Sequence, residues 1–183
     1  MRIGLYGGTF DPIHNGHIHV IEQLISRKIV DHLLVLPAGQ PLLRDSQPRA
    51  TGAQRRTMCQ LAIDALPAEI KAHVEVNPNE VLREGPSYAI DTVEALAQNY
   101  EGETIVLVVG TDAYEKIDQW HRADELKKLV EFVVIDRPGF PGKHNTSVDA
   151  IAVSATDIRA HISDAVPAAV AAFIKEHNLY ASN

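Results

Sequence analysis

The chain is 183 residues long, enough to bury one sizeable core, and no break in composition divides it, so a single domain over residues 1–183 is expected. Its 24 acidic and 17 basic residues leave a formal charge of -7, which repels a nucleic-acid backbone, and no local basic patch reverses that field. The longest apolar runs, such as Ile105 to Val109, are far short of a membrane span, and the first residues read as strand rather than cleavable leader, so the expectation is a soluble cytoplasmic protein.

Ile3 to Tyr6 is a short apolar run closed by Gly7-Gly8, which predicts a buried strand ending in a tight loop. From His17 onward Ile18, Ile21, Leu24 and Ile25 recur at helical spacing and predict one buried stripe. Leu33 to Leu36 reads as a strand broken by Pro37, followed by a loop with Gly39, Pro41 and Pro48. A second helix is expected from about Ala53 to Leu66. Its lone Cys59 shares an apolar row with Ala62, Ile63 and Leu66, so it is read as packing rather than as a nucleophile, and no internal disulfide can form. Val74 and Val76 alternate around Glu75 as a strand, and Ala89 to Ala97 is helical with Ile90, Val93 and Leu96 on one side. Ile105 to Val109 is the strongest strand signal, halted by Gly110; helical turns follow between Thr111 and Leu129, and Phe132 to Ile135 is a strand stopped by Pro138-Gly139. Ala150 to Val153 reads as a last short strand, with helices from about Ser154 and from Pro167 as a first helical residue.

Strands apolar at every position, alternating with helices, predict a doubly wound α/β domain with a mainly parallel sheet covered on both faces. Ligands of such sheets lie beyond the carboxyl ends of the strands, where Gly7-Gly8-Thr9, Pro37-Ala38-Gly39, Gly110-Thr111-Asp112 and Val153-Ser154 fall.

Among these the stretch from Gly4 to His17, G-L-Y-G-G-T-F-D-P-I-H-N-G-H, is the densest in chemistry. A strand, a glycine turn and a helix start make an anion site, and paired glycines let a phosphate approach the backbone. His14 and His17, three apart at the helix start, would share one side of it and both donate to phosphate oxygens, delivered by the Asp11-Pro12 turn. The plain alternative is a connecting loop with two surface histidines. A zinc site would need a third ligand, and His19 points to another face. The stretch from Gly139 to His144 imitates a P-loop, but its glycine spacing is too short and His144 stands where a hydroxyl would hold magnesium.

Gly8-Thr9-Phe10-Asp11-Pro12 followed by His14-Asn15-Gly16-His17 resembles the H-x-G-H signature of the nucleotidylyltransferase superfamily. The whole length resembles bacterial nicotinate-mononucleotide adenylyltransferases, through Gly85 to Thr92, Val109 to Ala113, Trp120-His121-Arg122, Arg137-Pro138-Gly139 and Val153 to Arg159. The resemblance implies a Rossmann-like nucleotidylyltransferase fold that joins ATP to nicotinate mononucleotide and releases pyrophosphate, with magnesium (Mg2+) carried in on ATP. It implies that His14 and His17 contact the phosphates, that Thr9 orients the acceptor or α-phosphate, and that Gly7, Gly8 and Phe10 belong to the ATP loop. Ser154, Thr156 and Arg159, at a helix start, would hold the departing pyrophosphate; an N-cap beside a surface arginine is the plain reading of the same residues. Gly110 and Asp112 resemble the adenosine site, with Asp112 accepting from a ribose hydroxyl or else capping a helix. Trp120, with Tyr88 and the backbone at Ala89 and His121, resembles the acceptor site, although a lone tryptophan is often partly buried packing.

The chain departs from the family pattern at three places. Pro41-Leu42-Leu43-Arg44 replaces Pro-Pro-His-Lys, keeping a cation at Arg44 but no histidine; Ser154-Ala155 replaces two serines; and Ala89 replaces a threonine. Rival readings are transfer to nicotinamide mononucleotide or another phosphate ester, a nucleotide sensor without turnover, and a histidine-metal hydrolase.

Overall fold

The computed structural model describes residues 1–39, 47–136, 138 and 145–181. Arg44 and the stretch from Gly139 to His144 lie outside them. In chain order the elements are β1 (Arg2–Gly8), α1 (Asn15–Ser26), β2 (His32–Pro37), α2 (Gly52–Asp64), α3 (Ala68–Lys71), β3 (Val74–Val76), α4 (Asn79–Leu82) and α5 (Ala89–Ala97). β4 (Thr104–Gly110), α6 (Thr111–Tyr114), α7 (Ala123–Leu129), β5 (Glu131–Ile135), β6 (Asn145–Thr146), α8 (Ala155–Arg159) and α9 (Ala168–Glu176) complete the fold.

The strands form one sheet in the order β3-β2-β1-β4-β5-β6, and every neighbouring pair is parallel. That order reverses between β1 and β4, the switch point where a doubly wound sheet opens a crevice beyond its carboxyl ends. The sheet is apolar on both faces because helices cover both. Val35, Val106 and Val108 face one core with Ile21 and Leu24 of α1, Met58 and Ile63 of α2 and Val170 of α9. Ile3, Leu5, Leu34, Leu36, Leu107 and Val109 face the other, with Ile90, Val93 and Leu96 of α5 and Leu126 of α7. Cys59 is fully buried in the first core, and burial pushes its thiol far above the ordinary range, which suits packing and not attack. Among the described residues no helix is long and apolar enough to cross a membrane.

Two expectations change. Ala150 to Val153 is not a strand; the sheet's last strand is β6, paired with Val134 and Ile135. A hydrogen bond from Val153 N to Ile151 O (3.1 Å) curls that run, leaving Ile151 and Ala152 exposed and Val153 beside Gly16 of α1; just before it, Val148 O meets His19 Nε2 of α1 at 2.8 Å. Pro167 is the N-cap of α9 rather than its first helical residue. The region from Thr111 to Leu129 is broken into α6, a 3-10 turn at Ile117–Gln119 and α7.

Candidate active site

Leaving β1, the chain must turn from the sheet into α1, and Gly8 makes the turn possible: a β-carbon there would lie 2.8 Å from Cζ of Phe10. The Phe10 ring is buried beneath the loop, with a backbone φ of 48° in the left-handed region. Its edge meets the His17 ring with centroids 4.9 Å apart and the Tyr6 ring at 5.8 Å. Phe10 therefore acts on this site through packing of its side chain.

His14 caps α1 and is nearly buried, and its ring stacks on that of His17 at 3.7 Å with planes 23° apart. The expected shared side of the two histidines is thus what the helix produces. His14 N–H donates to His17 Nδ1 at 3.2 Å, which in the neutral ring leaves the proton on Nε2 and turns His17 into a fixed donor. The expectation of open amides at the start of α1 is narrowed. Asn15 N–H donates to Ala165 O (2.9 Å) and His17 N–H to His14 O (2.9 Å), so these two amides are already engaged within the fold.

Asp11 is buried and holds the turn together. Its carboxylate accepts from Arg49 N–H (2.9 Å), Ala50 N–H (3.1 Å) and the Tyr180 hydroxyl (2.7 Å). Burial, then the bond to that carboxylate, pushes the Tyr180 phenol far up. The Asp11 carbonyl accepts from Arg159 Nη1 at 2.7 Å, although the two residues are 148 apart in sequence. Arg159 Nη2 donates to Thr156 Oγ1 at 3.2 Å, and Ser154 caps α8 by accepting from Asp157 N–H at 3.4 Å. The first and last motifs are therefore side by side, with Ser154 in its capping role and Arg159 mostly buried against the β1 exit.

Next to this loop a cavity of about 440 Å³ opens at the switch point, between Tyr6 to Gly8 of β1, with Thr9 just past its end, and Leu107 to Gly110 of β4. Its far wall carries Ser87, Tyr88 and Ala89 at the start of α5, and Trp120 and His121 before α7. Tyr88 and His121 face each other at 4.3 Å. Trp120 Nε1 and Ser87 Oγ are buried with no hydrogen-bond partner among the described residues, so this wall has polar atoms ready for a ligand. Arg122 anchors it: the guanidinium reaches Glu94 Oε1 of α5 at 2.7 Å and Glu125 Oε2 of α7 at 2.6 Å.

The cavity brings together Gly7, Gly8, Thr9, Gly110, Tyr88, Ala89, Trp120 and His121 from the sequence reading. His14, His17, Ser154, Thr156 and Arg159 gather beside the same exit loop, and Asp112 is exposed in the first turn of α6, outside the cavity lining. Sequence reasoning missed Arg55 and Glu80. Arg55 donates from the core to Thr9 O at 2.7 Å. Glu80 lines the cavity and accepts from the Thr92 hydroxyl at 3.1 Å, and burial raises its carboxyl above the ordinary range. Among the described residues no group of three or more His, Cys, Asp or Glu is placed to hold a metal ion.

The cytidylyltransferase-like family model matches residues 5–161. A Bacillus pumilus relative is 35% identical over 99% of each chain, and the nicotinate-nucleotide adenylyltransferase of Bacillus subtilis is 31% identical, again over 99% of each. The fold is shared with Plasmodium falciparum nicotinic acid mononucleotide adenylyltransferase complexed with NaAD, at a TM-score of 0.81 and 17% identity, covering 98% of this chain and 97% of that one. With a glycine loop, a stacked histidine pair and a helix-capping serine gathered at one strand exit, the chain belongs to the cytidylyltransferase-like family and, within it, to the nicotinate-nucleotide adenylyltransferases.

Proposed function

We propose that this protein transfers the adenylyl group of ATP to nicotinate mononucleotide in the cytoplasm, giving nicotinate adenine dinucleotide and pyrophosphate. An oxygen of the acceptor phosphate attacks the α-phosphorus of ATP, and the bond from that phosphorus to the bridging oxygen of pyrophosphate breaks. Such a displacement is driven by in-line placement and charge stabilisation, so the lack of a nucleophile in the loop is no obstacle. The observation that carries the reading is the meeting of two unlike surfaces at one strand exit: stacked imidazoles and Arg159 on one side, a mostly apolar wall bearing aromatic rings on the other.

In this reading His14 and His17 donate to phosphate oxygens and steady the charge that builds in the transition state. Thr9 orients the reacting phosphates, with Gly7 and Gly8 giving them room and Phe10 setting the height of His17. Ser154, Thr156 and Arg159 hold the departing pyrophosphate. Gly110 and Asp112 border the adenosine, and Arg44 adds a cation. Trp120 and Tyr88 receive the nicotinate ring while backbone N–H groups at Ala89 and His121 bind its carboxylate. The donors around the β1 exit are nitrogen atoms, and the Asp11 carboxylate is engaged by Arg49, Ala50 and Tyr180. This set fits magnesium that arrives on ATP and keeps its ligands among phosphates and water. When bound, the ion neutralises phosphate charge.

A pyrophosphate-release assay with ATP and either nicotinate or nicotinamide mononucleotide at equal concentration tests the proposal. Turnover with the nicotinate form and its collapse by about 10²-fold to 10³-fold in His17→Ala are expected. Equal turnover of both acceptors refutes the carboxylate recognition; ATP binding without pyrophosphate from any acceptor refutes the enzyme and marks a sensor.

A further inference from the structure

Arg55 lies in the first turn of α2 and is only 2% exposed, on the same stripe as Met58, Cys59, Ala62 and Ile63. A buried charge survives only with partners, and its partners here are carbonyls from three separate segments. Nη1 donates to Thr9 O at 2.7 Å, Nη2 to Gly39 O at 3.2 Å and Nε to Ala50 O at 3.3 Å. These are the exits of β1 and β2 and the approach to α2. A planar fork with donors diverging in one plane suits three carbonyls arriving from different directions, which the point donor of a lysine does not.

We infer that Arg55 is a positioning residue for adenylyl transfer: through the Thr9 carbonyl it fixes the Thr9–Phe10 turn, and through Phe10 the His17 imidazole. This inference rests on the role proposed above for His17. The turn needs holding, because Phe10 carries a β-carbon in the left-handed region that such residues disfavour. With the Thr9 carbonyl directed at Arg55, the Phe10 N–H of that planar peptide is directed to the opposite side. The residue after Phe10, Asp11, is tied to Arg49 and Ala50, so the same loop is gripped on both sides of Phe10, at Thr9 and at Asp11, from the α2 side. Phe10 in turn meets the His17 ring with centroids 4.9 Å apart, and it packs so closely on Gly8 that a β-carbon there would lie 2.8 Å from its Cζ. Bulk alone does not account for Arg55, since an apolar side chain of similar length would fill the stripe without a charge to satisfy.

The test compares Arg55→Met and Arg55→Lys with the wild-type chain, each below its own melting temperature. For Arg55→Met, kcat for pyrophosphate release is expected to fall about 10²-fold, as for a displaced reacting group, while KM for nicotinate mononucleotide changes by no more than a few-fold. Arg55→Lys keeps the charge and is expected to recover only a minor part of kcat. In spectra of ¹⁵N-labelled histidine, the His17 ring signals should shift in Arg55→Met, and those of His32, at the opposite end of the sheet, should not. A kcat within a few-fold of wild type, or unmoved His17 signals, overturns the inference. If wild type releases no pyrophosphate, the proposed function fails, and the histidine spectra alone decide whether Arg55 positions His17.

Discussion

Gly8→Ala offers the sharpest single perturbation of the β1 exit. The new methyl carbon would stand 2.8, 3.0 and 3.1 Å from Cζ, Cε1 and Cε2 of Phe10, whereas ordinary contact begins near 3.4 Å, so the ring must retreat by at least about 0.6 Å. That ring is buried and meets His17, whose ring is stacked on His14, so the displacement passes to both imidazoles. Forced overpacking of this kind costs about 1–3 kcal/mol, or a fall in melting temperature of about 3–10 °C for a chain of this size. A misplacement approaching 1 Å near reacting atoms costs about 10²-fold, so kcat is expected to drop by one to two orders of magnitude. Steady-state pyrophosphate release measures the rate and a thermal melt the stability. Gly8→Ala/Phe10→Leu separates the causes: the smaller side chain makes room, and kcat should rise above that of Gly8→Ala alone. A Gly8→Ala kcat within a few-fold of wild type refutes the reasoning. A double variant no better than the single one shows that the methyl obstructs phosphate and not Phe10.

Trp120→Ala should raise KM for nicotinate mononucleotide by about 10-fold to 100-fold, as for loss of an aromatic platform, with KM for ATP nearly unchanged. Equal losses for both substrates would make Trp120 a packing residue. Stability should fall in alkali, because burial holds the Cys59 thiol and the Tyr180 phenol protonated in the folded chain while the unfolded chain ionises them at their ordinary values. The folded state then binds more protons, so this stability is complete below about pH 8 and declines by about 1.4 kcal/mol per pH unit for each group beyond its ordinary pKa. Thermal melts from pH 7 to 11 check it, with Tyr180→Phe flattening the decline; a midpoint independent of pH in wild type would contradict it.

The alternation of strand and helix, and the place of the ligand side, were legible because the three central strands β1, β2 and β4 have apolar runs that end on glycine or proline. His14 and His17 were legible as a pair because their spacing is a helical one. Arg55 was not, although a signal was present: the apolar row of Cys59, Ala62, Ile63 and Leu66, continued one turn back, arrives at an arginine, and an arginine on a buried stripe implies a buried set of acceptors. The Asp11–Tyr180 bond spans 169 residues, and no local pattern encodes a pairing of that range. Thr51-Gly52-Ala53-Gln54 is a capping box that sets the start of α2 one residue before the helix expected from periodicity alone. The strand expected at Ala150 to Val153 failed because Ile151 and Ala152 stay exposed and Val153 lies beside Gly16 of α1 instead of the sheet edge, a choice that composition does not reveal.

The crossing of β1, β2 and α2 explains how loops rich in polar backbone can be rigid near a reacting phosphate. A backbone segment leaving a sheet carries N–H groups that need acceptors and carbonyls that need donors, and water at a crevice would satisfy them loosely. Here one acidic and one basic side chain divide the task. Asp11 takes N–H groups of Arg49 and Ala50, and Arg55 gives to the carbonyls of Thr9, Gly39 and Ala50, so Ala50 is held at both poles of its backbone. The negative charge of Asp11 supports the charged form of Arg55 against desolvation, and neither is buried without hydrogen bonds. Adenylyl transfer asks the protein mainly for fixed placement, and in a chain of net charge -7 this arrangement supplies it by ordering the backbone. It follows that charge reversal of the pair, Asp11→Arg with Arg55→Asp, cannot restore activity. The exchanged groups would present donors to N–H and acceptors to carbonyls, and each backbone pole would meet its own kind.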